Sequence, residues 1–171
     1  WYSNNNNTRK SLIDLLKEAG LKMVYVGIES SSPKVLNGIK RFTLDVDQQY
    51  KIIKKLVEKK IIVKSMFMFG SPEDTEETVE DTINYSLKLP NQLVQYSVFT
   101  PYPGTPIFKL YENKIIKQKY EKFNQYNLVY EHKNLDDAKL DKLKNLGYKK
   151  FYTNFKNLPI IMKSFFSLFK H

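Results

Sequence analysis

The apolar run VYVGI ends in Glu29-Ser30, and an arginine follows at Arg41. A carboxylate closing a buried strand needs partners, because an unpaired buried charge is very costly. Glu29 and Ser30 can accept hydrogen bonds from a ligand's ammonium or hydroxyls, and Arg41 can clamp a ligand carboxylate through paired N–H groups. The same residues can also serve the fold alone, Glu29 as a helix cap or the partner of a structural lysine, Arg41 as a solvated cation beside Lys40. Two other apolar runs end in unusual ways, one in Phe69-Gly70-Ser71-Pro72 and the other in TPYPGTP at 100–106. Gly70, without a Cβ, lets a flat ligand approach the main chain. The acidic stretch around Thr75 (Glu73, Asp74, Glu76, Glu77) suits a helix N-terminus and argues against a phosphate there. Neither a P-loop pattern nor GxGxxG occurs.

These residues must be positioned by the segments before them. Three stretches rich in β-branched and aromatic residues, at 23–29, 61–70 and 93–100, read as strands. Helical patterns separate them. Thr8 is the expected cap of a helix bearing Leu12, Leu15, Leu16 and Ala19 and closed by Gly20. Asp45 with Gln48, and Asp74 with Glu77, are expected capping boxes for the next two helices. The order αβαβαβ implies parallel strands with helical crossovers, in an open doubly wound sheet or an arc of a barrel. The strands lack clean alternation, so both faces are expected to be buried. In either architecture the three unusual ends share one rim, where ligands bind. Glu29 and Arg41 are expected to face one cavity there.

Beyond Pro101 the pattern changes. Prolines and Gly104 make 100–106 a rigid turn-rich segment. Helices are expected at 135–152, capped by Asn134, and at 156–169. The last carries Leu158, Ile161, Met162, Phe165, Phe166 and Phe169 on one face, with Lys156, Lys163 and Lys170 beside it. It is expected to dock on the domain, an interfacial membrane helix being the rival reading. The domain division is 1–108 and then a basic, mostly helical extension over 109–171.

Composition narrows the function classes. The 171 residues are 42% hydrophobic, with 12 Tyr and 11 Phe, enough for a real core. There is no cysteine and there are two histidines, His132 and His171, so no metal site is expected within these residues. No apolar run reaches the roughly 18 residues of a membrane helix, and no signal-peptide pattern opens the chain, so a cytoplasmic location is expected. Of the net charge of +10, residues 1–108 hold +2 and residues 109–171 hold +8. Dispersed lysines in an Asn- and Ile-rich sequence read as compositional bias, and no nucleic-acid partner is expected.

VGIESSSPKVLNGIKR, MFGSPEDTEETVEDT and VFTPYPGTPIF, in that order, resemble the second half of the catalytic domain of radical S-adenosylmethionine enzymes. The resemblance is closest to the cobalamin-binding branch that includes anaerobic Mg-protoporphyrin IX monomethyl ester cyclases and many methyltransferases. It covers about residues 8–108. It implies an α/β fold, the C-terminal half of a partial (β/α)6 TIM-type barrel of parallel strands, followed by a helical extension. It implies S-adenosylmethionine contacts at Glu29, Ser30, Arg41, Phe69 and Gly70, and a substrate or adenine rim at Thr100, Tyr102 and Pro103. It implies reductive cleavage of the sulfonium to a 5′-deoxyadenosyl radical, with cobalamin as methyl carrier where it is used.

The departures from that pattern matter. The cysteine loop that holds the family's 4Fe–4S cluster is expected upstream, as are the first barrel half and a cobalamin-binding domain. GSPEDT, with Glu73, stands where the family has GxPGET. The chain is therefore expected to be part of a longer enzyme, without activity by itself, acting on a small-molecule or lipid-like substrate, in the last case near a membrane surface. The alternative is an inactive remnant or binding module whose basic tail meets membrane or nucleic acid. Half a barrel also exposes two strand edges, and association of the isolated chain is expected from them.

Overall fold

The computed structural model describes residues 10–41 and 45–154, together with Pro159 and Met162. Helix α1 (Leu12–Glu18) and α3 (Val46–Glu58) hand the chain to strands in the same way. A residue of positive φ, Gly20 at 96° or Lys60 at 58°, reverses the last turn. The next amide then reaches back, Leu21 N–H to Leu16 C=O at 2.9 Å and Ile61 N–H to Leu56 C=O at 3.1 Å. These are Schellman closures, which satisfy the orphan carbonyls of a helix end. Strands β1 (Met23–Glu29) and β2 (Ile62–Phe69) follow almost at once, and α4 (Glu76–Lys88) crosses to β3 (Leu93–Val98). The sheet order is β1-β2-β3 with both pairs parallel, as the alternating pattern requires. Strand β1 keeps the limits expected from sequence, and β2 and β3 fall slightly inside theirs.

The caps differ from expectation in three places. Ser11, not Thr8, caps α1, and Thr8 lies outside the described residues. Thr75 caps α4 in a reciprocal box with Thr78, because Asp74 is turned inward and buried. After the short α5 (Pro106–Tyr111), Asp136 caps α6 (Asp137–Tyr152), leaving Asn134 to bond elsewhere. Asp45 does accept from the Gln48 amide at 2.7 Å. The helix expected at 156–169 lies outside the described residues except for Pro159 and Met162.

The expectation of two buried sheet faces is corrected as well. Burial alternates along β2 and β3. Val63, Phe67, Phe69, Val94, Tyr96 and Val98 face a helical layer of α3, α4 and α6, whereas Lys64, Met66, Met68, Gln95 and Ser97 lie half-buried on the opposite face, which that layer does not cover. Met66 and Met68 hid the period-two pattern, since both are apolar yet sit on the open face. Leu128, Tyr130, Leu135, Leu140, Leu143 and Phe151 join the strands in one core cluster.

Among the described residues, one of the two sheet edges is covered. Tyr148 and Tyr152, one turn apart on α6, place their hydroxyls against β3. The Tyr148 hydroxyl accepts from the Tyr96 amide at 3.1 Å, and that of Tyr152 lies 3.4 Å from both the amide and the carbonyl of Val94. The Val98 amide donates to Gln125 C=O at 2.7 Å. The β3 edge is therefore capped by side chains and a loop, contrary to the expectation of two open edges. Among the described residues no backbone segment pairs with the outer edge of β1.

Gly147 on α6 tests this packing. A Cβ there would lie 2.8 Å from Tyr96 Cε2 and 3.2 Å from Ile83 Cγ1. Alanine adds about 1 kcal/mol of helix propensity, but overpacking against a fixed ring costs about 1–3 kcal/mol. Gly147→Ala is expected to lower the unfolding free energy by about 0.5–2 kcal/mol in urea titrations. A stabilised variant would contradict the tight α6–β3 contact.

Candidate functional site

At the end of β1 the backbone does something unusual. Glu29 has φ of 67°, and the Ser30 amide bonds to Ile28 C=O at 2.9 Å. This is a γ-turn of the rarer, strained hand, centred on a residue with a Cβ. It coincides with a shift of the β1–β2 register between Gly27 and Glu29, the pattern of a bulge. The turn lays the Glu29 side chain back over Gly27, where a Cβ would sit 2.9 Å from Oε1. A glycine at 27 thus makes room for the carboxylate on the open face.

Arg41 arrives from the other side. Helix α2 (Pro33–Gly38), capped by Ser32, closes with Lys40 at φ 53°. Lys40 N–H bonds to Asn37 C=O at 3.0 Å and Arg41 N–H to Leu36 C=O at 2.9 Å. This third Schellman closure delivers the guanidinium to the carboxylate: Arg41 Nη2 lies 3.4 Å from Glu29 Oε1. The Glu29 side chain is 21% exposed and that of Arg41 52%. Burial pushes the Glu29 carboxyl above its ordinary range, and the nearby guanidinium only partly counters it. One long contact between partly exposed groups contributes little stability.

The other residues singled out from sequence are not all brought to this point. Ser30 is buried and its hydroxyl contacts Thr82 Oγ1 at 3.2 Å. Thr82 Oγ1 also lies 2.9 Å from Thr78 C=O as donor and accepts from the Ser31 amide at 3.1 Å. The Phe69 ring stacks on Tyr96 in the core at 5.0 Å, so this residue offers only main chain to the rim. Gly70 has φ 75°, and a Cβ there would lie 3.0 Å from Leu140 Cδ1 and 3.7 Å from Leu128 Cδ1. Thr100 Oγ1 lies 2.8 Å from Asn124 C=O as donor, and Tyr102 and Pro103 are exposed. Among the described residues no cluster of three or more His, Cys, Asp or Glu could hold a metal.

Sequence reasoning missed three features. Gly27 belongs to the site as the space Glu29 occupies. Lys64, whose ammonium sits 5.0 Å over the Tyr25 ring, and Gln95, bonded to Gln125 at 3.2 Å, line the open face. Their period-two positions were the available signal. Asp74 was read as a cap but is a buried carboxylate accepting from the Ser71 amide and the Thr78 hydroxyl at 2.8 Å each. Burial outweighs those bonds and raises it to about 6.

Two expected outcomes follow from these environments. Glu29→Gly relieves the positive φ, worth about 1–3 kcal/mol, against a smaller entropic loss for glycine in the unfolded chain. The variant is expected to gain about 0.5–1 kcal/mol in denaturant titrations, and a clear loss would contradict strain at 29. For Asp74, the folded chain keeps a proton that the unfolded chain has released between pH 3.8 and about 6. Its contribution favours folding below that window and is lost as pH rises through about 6. The stability difference between the native chain and Asp74→Asn is therefore expected to change by roughly 2–3 kcal/mol from pH 4 to 7, and a pH-independent difference would contradict it.

Residues 2–86 match the family profile described as the radical SAM superfamily. An uncharacterized methyltransferase of Pyrococcus horikoshii is 29% identical over 86% of this chain and 32% of its own length. The bacteriochlorophyllide d C-12(1)-methyltransferase of Chlorobaculum tepidum is 24% identical over 77% of this chain and 29% of its own. The anaerobic magnesium-protoporphyrin IX monomethyl ester cyclase of Cereibacter sphaeroides is 28% identical over 84% and 23%. The chain thus spans about a third or less of these curated relatives. Among solved structures, the fold is similar to the radical S-adenosylmethionine methyltransferase TsrM of Kitasatospora setae, solved with cobalamin and a 4Fe–4S cluster. The TM-score is 0.53 at 24% identity, over 59% of this chain and 20% of that one. It is also similar to Methanocaldococcus infernus Elp3, at TM-score 0.53 and 15% identity, over 81% and 38%.

Proposed function

Because this chain belongs to the radical SAM superfamily, we propose that its sheet is the S-adenosylmethionine-binding wall of a barrel whose remaining strands lie outside these 171 residues. The open β1 edge and the uncovered face support this reading. Residues 1–108 form that wall, and 109–171 form an extension on its outside. The methyltransferase and cyclase relatives support a methyl-transfer or ring-forming reaction.

The observation that carries the proposal is the Glu29–Arg41 pair over Gly27. A carboxylate and a guanidinium side by side match the ammonium and carboxylate of an amino-acid group. Arg41 takes the methionine carboxylate, and Glu29 takes the ammonium or the ribose hydroxyls. Each group then trades one long contact for direct charge-assisted bonds. Gly70 and Phe69 offer backbone along the adenine, and Thr100, Tyr102 and Pro103 border the rim. Ser30 orients the turn through Thr82.

S-adenosylmethionine, when bound, supplies a sulfonium open to one-electron cleavage. The cluster that such cleavage requires does not fit these residues. Iron–sulfur clusters are held by cysteine thiolates, and the chain has no cysteine. The cluster therefore belongs to a cysteine-bearing region outside this chain, without which the 171 residues are inactive. A cobalamin-binding domain, as in the relatives that use cobalamin, would also be supplied from outside. The substrate is a small or lipid-like molecule, and the setting is the cytoplasm or its membrane surface. No helix among the described residues is long and apolar enough to cross a membrane.

Calorimetric titration of S-adenosylmethionine into the assembly that carries the cluster tests the reading. Arg41→Ala is expected to weaken binding by about 1.5–3 kcal/mol, the range of a hydrogen bond to a charged group. Unchanged affinity would return Arg41 to the role of a solvated cation.

A further inference from the structure

The 70–74 loop at the end of β2 is held from one direction by three side chains of the extension. Tyr130 donates its hydroxyl to Gly70 C=O at 2.7 Å. His132 Nε2 lies 2.8 Å from Ser71 C=O. Asn134 donates its amide to Asp74 C=O at 2.8 Å. Three donors, at 130, 132 and 134, thus meet three carbonyls of one loop, the segment bending at 133–134 so that its amides fold back on the His132 ring. The loop's own Ser71 hydroxyl is buried and makes no hydrogen bond among the described residues. The loop in turn touches the helix that delivers Arg41: Glu73 pairs with Lys34 at 3.4 Å, and its Cγ lies 2.8 Å from where a Cβ on Gly38 would be.

We infer that Tyr130, His132 and Asn134 are positioning residues, a clasp that sets the 70–74 loop and, through Glu73, the end of α2 that carries Arg41. Its bearing on a cofactor rests on the function proposed above, whereas the clasp itself does not. The clasp is proton-sensitive by construction. His132 Nδ1 accepts from the amides of Asn134 at 3.0 Å and Leu135 at 3.1 Å, so it carries no hydrogen. The ring is then neutral with its proton on Nε2, donating to Ser71. A proton on Nδ1 would face two N–H groups and expel them.

The groups around the ring are Glu73 and Asp74 of the loop, Tyr130 against its face with Tyr111 behind, and Glu131, Lys133 and Asp136 in the flanking segment. Glu73 and the Ser71 carbonyl favour the protonated ring, but burial prevails and moves His132 below its ordinary value. The clasp is therefore whole above about pH 6.5 and weakens as pH falls from there through the lower folded value.

Nitrogen-15 NMR of the full chain tests the inference without any ligand. The His132 ring is expected to show the Nε2–H tautomer at neutral pH. In Tyr130→Phe and in Asn134→Ala, exchange protection of the Ser71 and Asp74 amides is expected to fall roughly tenfold, while that of the Phe67 amide holds. The Gly27 and Arg41 amide resonances are expected to shift. Protonating His132 should reproduce these changes, and in an Asp74→Asn background, where the neighbouring carboxyl no longer titrates near 6, His132→Gln, which can still donate to Ser71 but does not titrate, should abolish their pH dependence. An Nδ1–H tautomer, unchanged loop protection, a loss spread evenly over the core, or unmoved Gly27 and Arg41 resonances would each overturn the clasp. Failure of S-adenosylmethionine to bind the cluster-bearing assembly would overturn the proposed function and leave these readouts to stand or fall separately.

Discussion

Three parallel strands have two faces and two edges to keep from water, and a single helical layer can cover only one of each. The Tyr96 ring decides which. It stacks 5.0 Å from Phe69, meets Phe67 at 5.7 Å and takes the edge of Tyr148 at 5.0 Å, while its hydroxyl reaches Ser86 at 2.6 Å. One side chain therefore ties together β2, β3, α4 and α6. Aromatic pairs of this kind add to the area they bury, and the ring leaves α6 no space for more than glycine at 147. Drawn in this close, α6 brings Tyr148 and Tyr152 to the edge of β3. Covering one face and capping one edge are thus a single packing event. Among the described residues, the face with Gly27, Lys64 and Gln95 lies outside this helical layer, and no backbone pairs with the edge of β1.

Much of this architecture could be read from the sequence, because strand identity and parallel pairing follow from local composition and alternation. The β-branched runs and the helices between them admit few other arrangements. The errors lie where a polar side chain had more than one way to be satisfied. Asp74 and Asn134 both precede helices and have the chemistry of a cap, yet each bonds across the 70–74 loop, and Thr75 and Asp136 cap instead. Asp74 is held by near neighbours, the Ser71 amide and the Thr78 hydroxyl, whereas the competing partner of Asn134, the Asp74 carbonyl, lies 60 residues away and leaves no local trace. The edge cap of Tyr148 and Tyr152 was hidden for the same reason. The open face could have been found: Lys64, Gln95 and Ser97 sit at period-two positions, but Met66 and Met68 made the pattern look uniformly apolar.

The site was legible in residue type and illegible in conformation. Glu29 and Arg41 stand out in the sequence because charges rarely close apolar strands. Nothing local announces a γ-turn of positive φ at a glutamate, since glycine is the residue such a turn favours. The comparison with Lys40 and Lys60 is instructive. Those residues also have positive φ, but each ends a helix and gains two backbone bonds from doing so. Glu29 gains one short-range bond, half buries a carboxylate and receives a single guanidinium contact at 3.4 Å. Strain and desolvation at this position exceed what the ion pair returns. For the fold alone, glycine would serve better at 29. A glutamate held in this turn, above a glycine that leaves it space and beside an arginine carried there by a dedicated helix end, makes physical sense when both charges have a better partner than each other.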